Sequence, residues 1–173
     1  MNAKWSVLAA YENPSARQLA MEFCDGLVQR FWPELCLELS WYEWDDLEKS
    51  DRAKEAAHKA TTAKIMILAT GPRGAIRPEI KRWIELALHG RRDREGVLVG
   101  LPVPESGLTP EAASTQVYLR KLAHQSGLDY LTEVPQGLPL RMPESAESCR
   151  MRATQVTSVL DTILHQAPRP RML

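Results

Sequence analysis

Two short segments carry the residue types that a ligand site needs. Glu12-Asn13-Pro14-Ser15 combines an acid, a carboxamide and a hydroxyl around a proline. Asn is a strong N-cap and Pro is favoured at the first helical position, so a helix is expected to start here. Its free backbone N–H groups and positive dipole end suit an anion. Thr70-Gly71-Pro72-Arg73-Gly74 places an arginine between glycines. Backbone there can approach a ligand closely, and the guanidinium can grip a phosphate or carboxylate. A third segment, Trp41-Tyr42-Glu43-Trp44, is aromatic. Trp41 belongs to a strand; Tyr42 and Trp44 lie past it, either exposed for ring stacking or docking, or packed as a rim on the neighbouring helix. The expected ligand-binding set is Glu12, Asn13, Ser15, Trp44, Thr70, Gly71, Arg73 and Gly74, with no catalytic residue, metal ligand or cofactor assigned.

These segments form one site only if the elements before them lie side by side. Residues 5–10 read as a buried strand, and Ala16, Leu19, Ala20, Phe23, Leu27 and Phe31 as the inner stripe of a helix ended by Trp32-Pro33. Leu35, Leu37, Leu39 and Trp41 alternate with less apolar residues, the pattern of an edge strand. Asp45-Asp46-Leu47-Glu48 resembles a capping box, followed by a helix to about residue 60 with Ala53, Ala56, Ala57 and Ala60 on one face. Residues 64–70 form the most apolar strand, which places it centrally. Arg77-Pro78 opens a helix with Ile80, Trp83, Ile84, Ala87 and Leu88 inward, closed by His89-Gly90. A fourth strand spans 96–101, Thr109-Pro110 starts a helix that Gly127 ends, and a weaker fifth strand spans 128–134. A last helix, 145–165, carries the stripe Val156, Val159, Leu160, Ile163 and Leu164.

Strand-then-helix alternation with right-handed crossovers predicts a three-layer, flavodoxin-like α/β fold: an open sheet of five parallel strands in order 2-1-3-4-5, helices on both faces. The expected domain covers residues 1–166, with 167–173 a flexible tail. Ligands of such sheets bind beyond the carboxyl ends of the strands where the order reverses, which here is between the loops after strands one and three. Arg91-Arg92-Asp93-Arg94 falls at the opposite end, where cations complement a helix carboxyl terminus.

Composition narrows the function. Lys+Arg 22 balances Asp+Glu 22, which argues against nucleic acid as a partner. No apolar run is long enough to span a bilayer and the amino terminus lacks a signal-peptide pattern, so a cytoplasmic location away from membranes is expected. Cys24, Cys36 and Cys149 are widely spaced and read as reduced thiols, while His58, His89, His124 and His165 form no metal motif. GxxxxGK[ST], GxGxxG and GxSxG are all absent, and Asn13-Pro14-Ser15-Ala16 is not the Gly- and Thr-rich loop that holds flavin phosphate in flavodoxins.

At the level of fold, residues 4–134 resemble a response-regulator receiver domain, but Thr70 stands where a receiver has its phosphorylated Asp, and Glu12 is the single acid after strand one. The resemblance implies a degenerate receiver that signals without phosphate. Residues 38–88 resemble the Toll/interleukin-receptor-like pattern, some members of which cleave NAD; that resemblance makes Glu79 or Glu85 a candidate acid, and a nucleotide-using enzyme could equally employ Glu12. The expectation is a non-enzymatic binding or regulatory module recognising a partner protein or small anionic ligand, with a NAD-cleaving hydrolase as the alternative and a homo-oligomer possible through the last helix.

Overall fold

The computed structural model describes residues 3–31, 35–91, 95–102 and 109–132, all within the unit Met1–Pro139. Strand β1 (Ala3–Tyr11) leads to helix α1 (Pro14–Phe31), then β2 (Leu35–Glu43), the short α2 (Trp44–Leu47) and α3 (Ser50–Ala60). They are followed by β3 (Ile65–Thr70), α4 (Pro78–His89), β4 (Val97–Pro102), α5 (Pro110–Gln125) and β5 (Asp129–Leu131). The five strands form one sheet in the order β2-β1-β3-β4-β5, and every neighbouring pair is parallel. This is the expected three-layer arrangement.

Side-chain alternation builds the layers. All six residues of β3 are buried, as a central strand covered on both faces requires. Leu8, Ala10, Tyr42, Met66, Leu68 and Leu98 face one way, into a core completed by residues from α2 to α5. Helix α1 lies on the other face against β1 to β4, burying Ala16, Ala20, Phe23, Cys24 and Leu27. The stripe predicted for α4 is the one it buries: Ile80, Trp83, Ile84, Ala87 and Leu88. The Trp83 indole N–H donates to Ala53 O at 3.0 Å, fastening α4 to α3. At the amino-terminal end of the strands, Arg91 donates to Ala60 O (2.8 Å), Ala63 O (2.7 Å) and Glu95 O (2.8 Å). Its cation thus satisfies helix-end and loop carbonyls, away from the crevice.

Local expectations shift in three places. β2 continues to Glu43, because Tyr42 and Glu43 pair with Ala10 and Tyr11. The expected helix beginning at Asp45 is split: α2 starts at Trp44 with Glu43 as N-cap and no side-chain cap bond, and α3 starts afresh after Lys49. Trp44 and Leu47 are buried, so the first turn is fixed by packing rather than by a capping box. β5 is three residues long. The last helix, the 167–173 tail, Arg92 to Arg94, Cys149 and His165 lie outside the described residues. Among the described residues no helix is long and apolar enough to cross a membrane.

Candidate functional site

The crevice forms where β1 and β3 run side by side, Tyr11 pairing with Ala69. The chain leaves β1 through Glu12, whose backbone N–H donates to Ala69 O at 3.1 Å. Asn13 then caps α1: its Oδ1 accepts from the Ala16 N–H at 2.9 Å, and its backbone carbonyl accepts from the Arg17 N–H at 3.0 Å. Pro14 has no N–H, so in this first turn the Ser15 N–H is the backbone donor left for a ligand. Ser15 is exposed.

Across the crevice, Gly71 to Gly74 make a tight turn closed by a Gly74 N–H to Gly71 O bond of 2.9 Å. Gly74 has φ 69°, the left-handed conformation that glycine adopts at least cost. The turn is anchored on both sides. The Thr115 hydroxyl donates to Gly74 O, and the Thr109 hydroxyl donates to Arg73 O at 3.3 Å, tying the turn to α5. Towards β1, the Gly71 N–H donates to the Glu12 carboxylate. A Cβ on Gly71 would stand 2.6 Å from Glu12 Oε2 and 2.8 Å from Asn13 Nδ2, so a side chain here would have to push the ends of those two side chains aside. The meeting point of the two loops is therefore Gly71.

The predicted residues divide accordingly. Glu12, Asn13 and Gly71 come together, whereas Gly74 is buried against Ala112 of α5, Ser15 is exposed at the start of α1, and Arg73 is exposed on the turn with no ion pair among the described residues. Thr70 is buried, and its hydroxyl makes a long 3.5 Å bond to Leu101 O. Of the two alternatives for the aromatic segment the packed one holds, with Trp44 0% accessible and Tyr42 only 1%, which takes Trp44 out of the expected ligand-binding set. Both rings extend the core past the sheet edge because apolar area there is shielded by α2 and α3. The Tyr42 hydroxyl donates to Glu55 at 3.0 Å, whereas the Trp44 Nε1–H has no partner among the described residues.

Sequence reasoning missed two arginines. Arg17, in the first turn of α1, lies 6.0 Å from the centroid of the Tyr11 ring and 5.4 Å from that of Trp41. These rings meet edge to face at 6.4 Å. The aromatics hold the guanidinium over the strand ends at the start of α1 without neutralising it. Its distance of three residues from Pro14 was the available signal. Arg77 lies against Trp44 at 5.8 Å and pairs with Asp45 and Glu48, each at 3.0 Å. Burial acts to lower the Arg77 pKa, but the Asp45 hydrogen bond and the charges of Glu48, Asp45 and Glu12 outweigh it and raise the value. This cation is committed to two carboxylates rather than to the crevice. The Toll-like candidates are accounted for otherwise: Glu85 accepts from the Tyr118 hydroxyl at 2.8 Å, and Glu79 is an exposed acid in the first turn of α4.

No protein-family model matches the chain, and no curated protein matches it. Solved structures do. An oxidoreductase from Corynebacterium diphtheriae superposes with a TM-score of 0.50 at 14% identity, over 95% of this chain and 100% of that one. An NADH:FMN oxidoreductase in its apo form gives 0.49 at 17% identity, over 96% of this chain and 92% of that one. A flavo di-iron protein from Thermotoga maritima gives 0.48 at 12% identity; 89% of this chain covers 36% of that protein, about a third of its length. The Corynebacterium match counts against the receiver-like, non-enzymatic expectation, because the structure it finds is an oxidoreductase rather than a receiver domain; at 14% identity the likeness itself shows the fold alone. What these similarities establish for the chain is its flavodoxin-like α/β fold.

Proposed function

We propose that the chain is a flavodoxin-like redox protein that seats a flavin mononucleotide across the carboxyl ends of β1 and β3. The observation that carries this is the amino terminus of α1. Helices α2 to α5 each place an acid in their first turn, which offsets the positive dipole end; α1 places none. Instead it offers the Ser15 N–H and hydroxyl and, from Arg17, a guanidinium held by two rings. That donor set suits a phosphate monoester by charge, although Asn13-Pro14-Ser15-Ala16 lacks the Gly- and Thr-rich phosphate loop of flavodoxins and offers fewer backbone donors than that loop. The turn from Gly71 to Gly74, with Pro72 and Arg73 exposed, offers backbone and a flat edge to an uncharged ring. The match to an oxidoreductase supports the same assignment.

A bound flavin supplies hydride and single-electron transfer. The part of the chain's own residues is to bind and orient: Ser15 and Arg17 hold the phosphate, and the Glu12–Gly71 bond fixes the separation of the two loops. A reducing, cytoplasmic setting accompanies the proposal, since Cys24 and Cys36 are both free thiols. The test is titration of the purified protein into FMN and riboflavin, read by quenching of flavin fluorescence. Saturable one-to-one binding of FMN is expected. Arg17→Ala should weaken FMN about tenfold while leaving riboflavin unchanged, the effect of one charge-assisted bond. Absence of saturable FMN binding by the wild-type protein refutes the assignment.

A further inference from the structure

The two edges of the sheet are built differently. β5 is three residues long and begins with the charged Asp129, and a short, charged edge resists further pairing. β2 has none of these protections. Its nine residues, Leu-Cys-Leu-Glu-Leu-Ser-Trp-Tyr-Glu, contain no Pro, Lys or Arg. Leu35 to Glu43 pair without interruption with Ala3 to Tyr11, so no bulge bends the strand away. β2 ends the sheet, and its outer N–H and C=O groups face no further strand among the described residues.

The side chains along this edge are apolar as well. Leu37, Leu39 and Trp41 stand on the α1 face, beside Trp5, Val7 and Ala9 of β1. Helix α1 leaves that row partly uncovered: Leu37 and Trp41 are half-buried and Leu39 is 42% exposed. Between its ends the strand has one charge, Glu38, which stands on the other face and meets Lys4 at 3.1 Å.

We propose that β2 pairs antiparallel with β2 of a second copy of this chain, about a two-fold axis through Leu39, to make one continuous sheet. The occupant is a second copy because the strand complements itself in length and in charge. Leu39 is the midpoint of β2, so an axis there overlaps all nine residues of both strands. Leu39 then meets the partner's Leu39, and Leu37 meets the partner's Trp41, apolar against apolar on the α1 face. On the other face Glu38 meets the partner's Ser40 rather than a second carboxylate. An axis moved by one residue shortens the overlap, and at Glu38 it sets two carboxylates opposite each other. Antiparallel pairing points the two crevices to opposite ends of the joined sheet, so the contact does not depend on the flavin assignment.

Sedimentation velocity tests this. At about 100 μM, above a micromolar Kd, the wild-type chain should be a dimer. Leu39→Lys sets two cations opposite each other and should weaken the dimer at least about a hundredfold, leaving a monomer with the circular dichroism of wild type. Cross-linking reads the register. In a Cys36→Ser background, Leu39→Cys should form a disulfide-linked dimer on oxidation by copper phenanthroline, whereas Leu37→Cys, opposite the partner's Trp41, should not. A wild-type monomer, a Leu39→Lys dimer, or cross-linking through Leu37→Cys in place of Leu39→Cys overturns the proposal. Should Leu39→Lys fail to fold, the two cysteine variants decide.

Discussion

Gly71→Ala tests the geometry at the centre of the crevice. The added Cβ would stand 2.6 Å from Glu12 Oε2, 3.0 Å from Glu12 Cδ and 2.8 Å from Asn13 Nδ2. Real Cβ contacts do not reach such distances, so the loop or the carboxylate must move. Both neighbours are ends of flexible side chains, so the clash itself is relieved by their rotation at less than the roughly 1–3 kcal/mol of overpacking in a rigid core. Moving the carboxylate also breaks a charge-assisted bond, worth about 1.5–3 kcal/mol when well buried. The bond is part-buried, which favours the lower end of that range. Together these give a destabilisation of about 1.5–2.5 kcal/mol for Gly71→Ala and about 1–1.5 kcal/mol for Glu12→Ala, which loses the bond without a clash. In the double variant the carboxylate is gone, and only the end of the Asn13 side chain must shift. The two changes should therefore be less than additive, with a coupling of about 1–2 kcal/mol. Urea unfolding of the four proteins measures it, and a difference of 1 kcal/mol corresponds to about 2–4 °C in Tm for a chain of this size. Additivity within about 0.5 kcal/mol would refute the contact.

Two other outcomes follow from single bonds and from burial. Asn13→Ala removes the α1 cap and Thr109→Ala the α5 cap, whose hydroxyl accepts from the Ala112 N–H at 3.1 Å. Each should cost about 1 kcal/mol in urea unfolding, and Asn13→Gly or Thr109→Gly should recover part of it. Burial, with the Asp25 charge adding to it, pushes the Cys24 thiol up to about 11, and burial pushes the Tyr130 hydroxyl up to about 12 despite the opposing Arg120. Both groups bind protons more tightly when folded. Their stabilising effect is complete below about pH 9, and it is lost as pH rises through about 11 for Cys24 and 12 for Tyr130. Stability measured between these limits should fall with pH, and peptide mapping at neutral pH should find Cys36 alkylated well before Cys24.

Much of this molecule was legible in its sequence because local physics wrote it there. Asn13-Pro14 and Thr109-Pro110 mark helix starts through capping and a fixed φ, and both start helices as read. The α4 stripe follows from helical periodicity, and the apolar run before Thr70 from a strand buried on both faces. Sheet order also followed, since alternation in β2 marked an edge and handedness left few topologies. What only the tertiary structure decided depends on contacts between residues far apart in the chain. Trp44 is core because the short, separate α2 that it begins turns Trp44 and Leu47 into the core, which no pattern within residues 44–60 announces. Glu12 and Gly71 are 59 positions apart, and no periodicity couples them; their bond exists because two parallel strands end at the same level. Periodicity therefore specified which faces are buried, while through-space packing chose which polar groups meet, because a hydrogen bond needs a partner at a set distance and an apolar stripe needs only a place away from water.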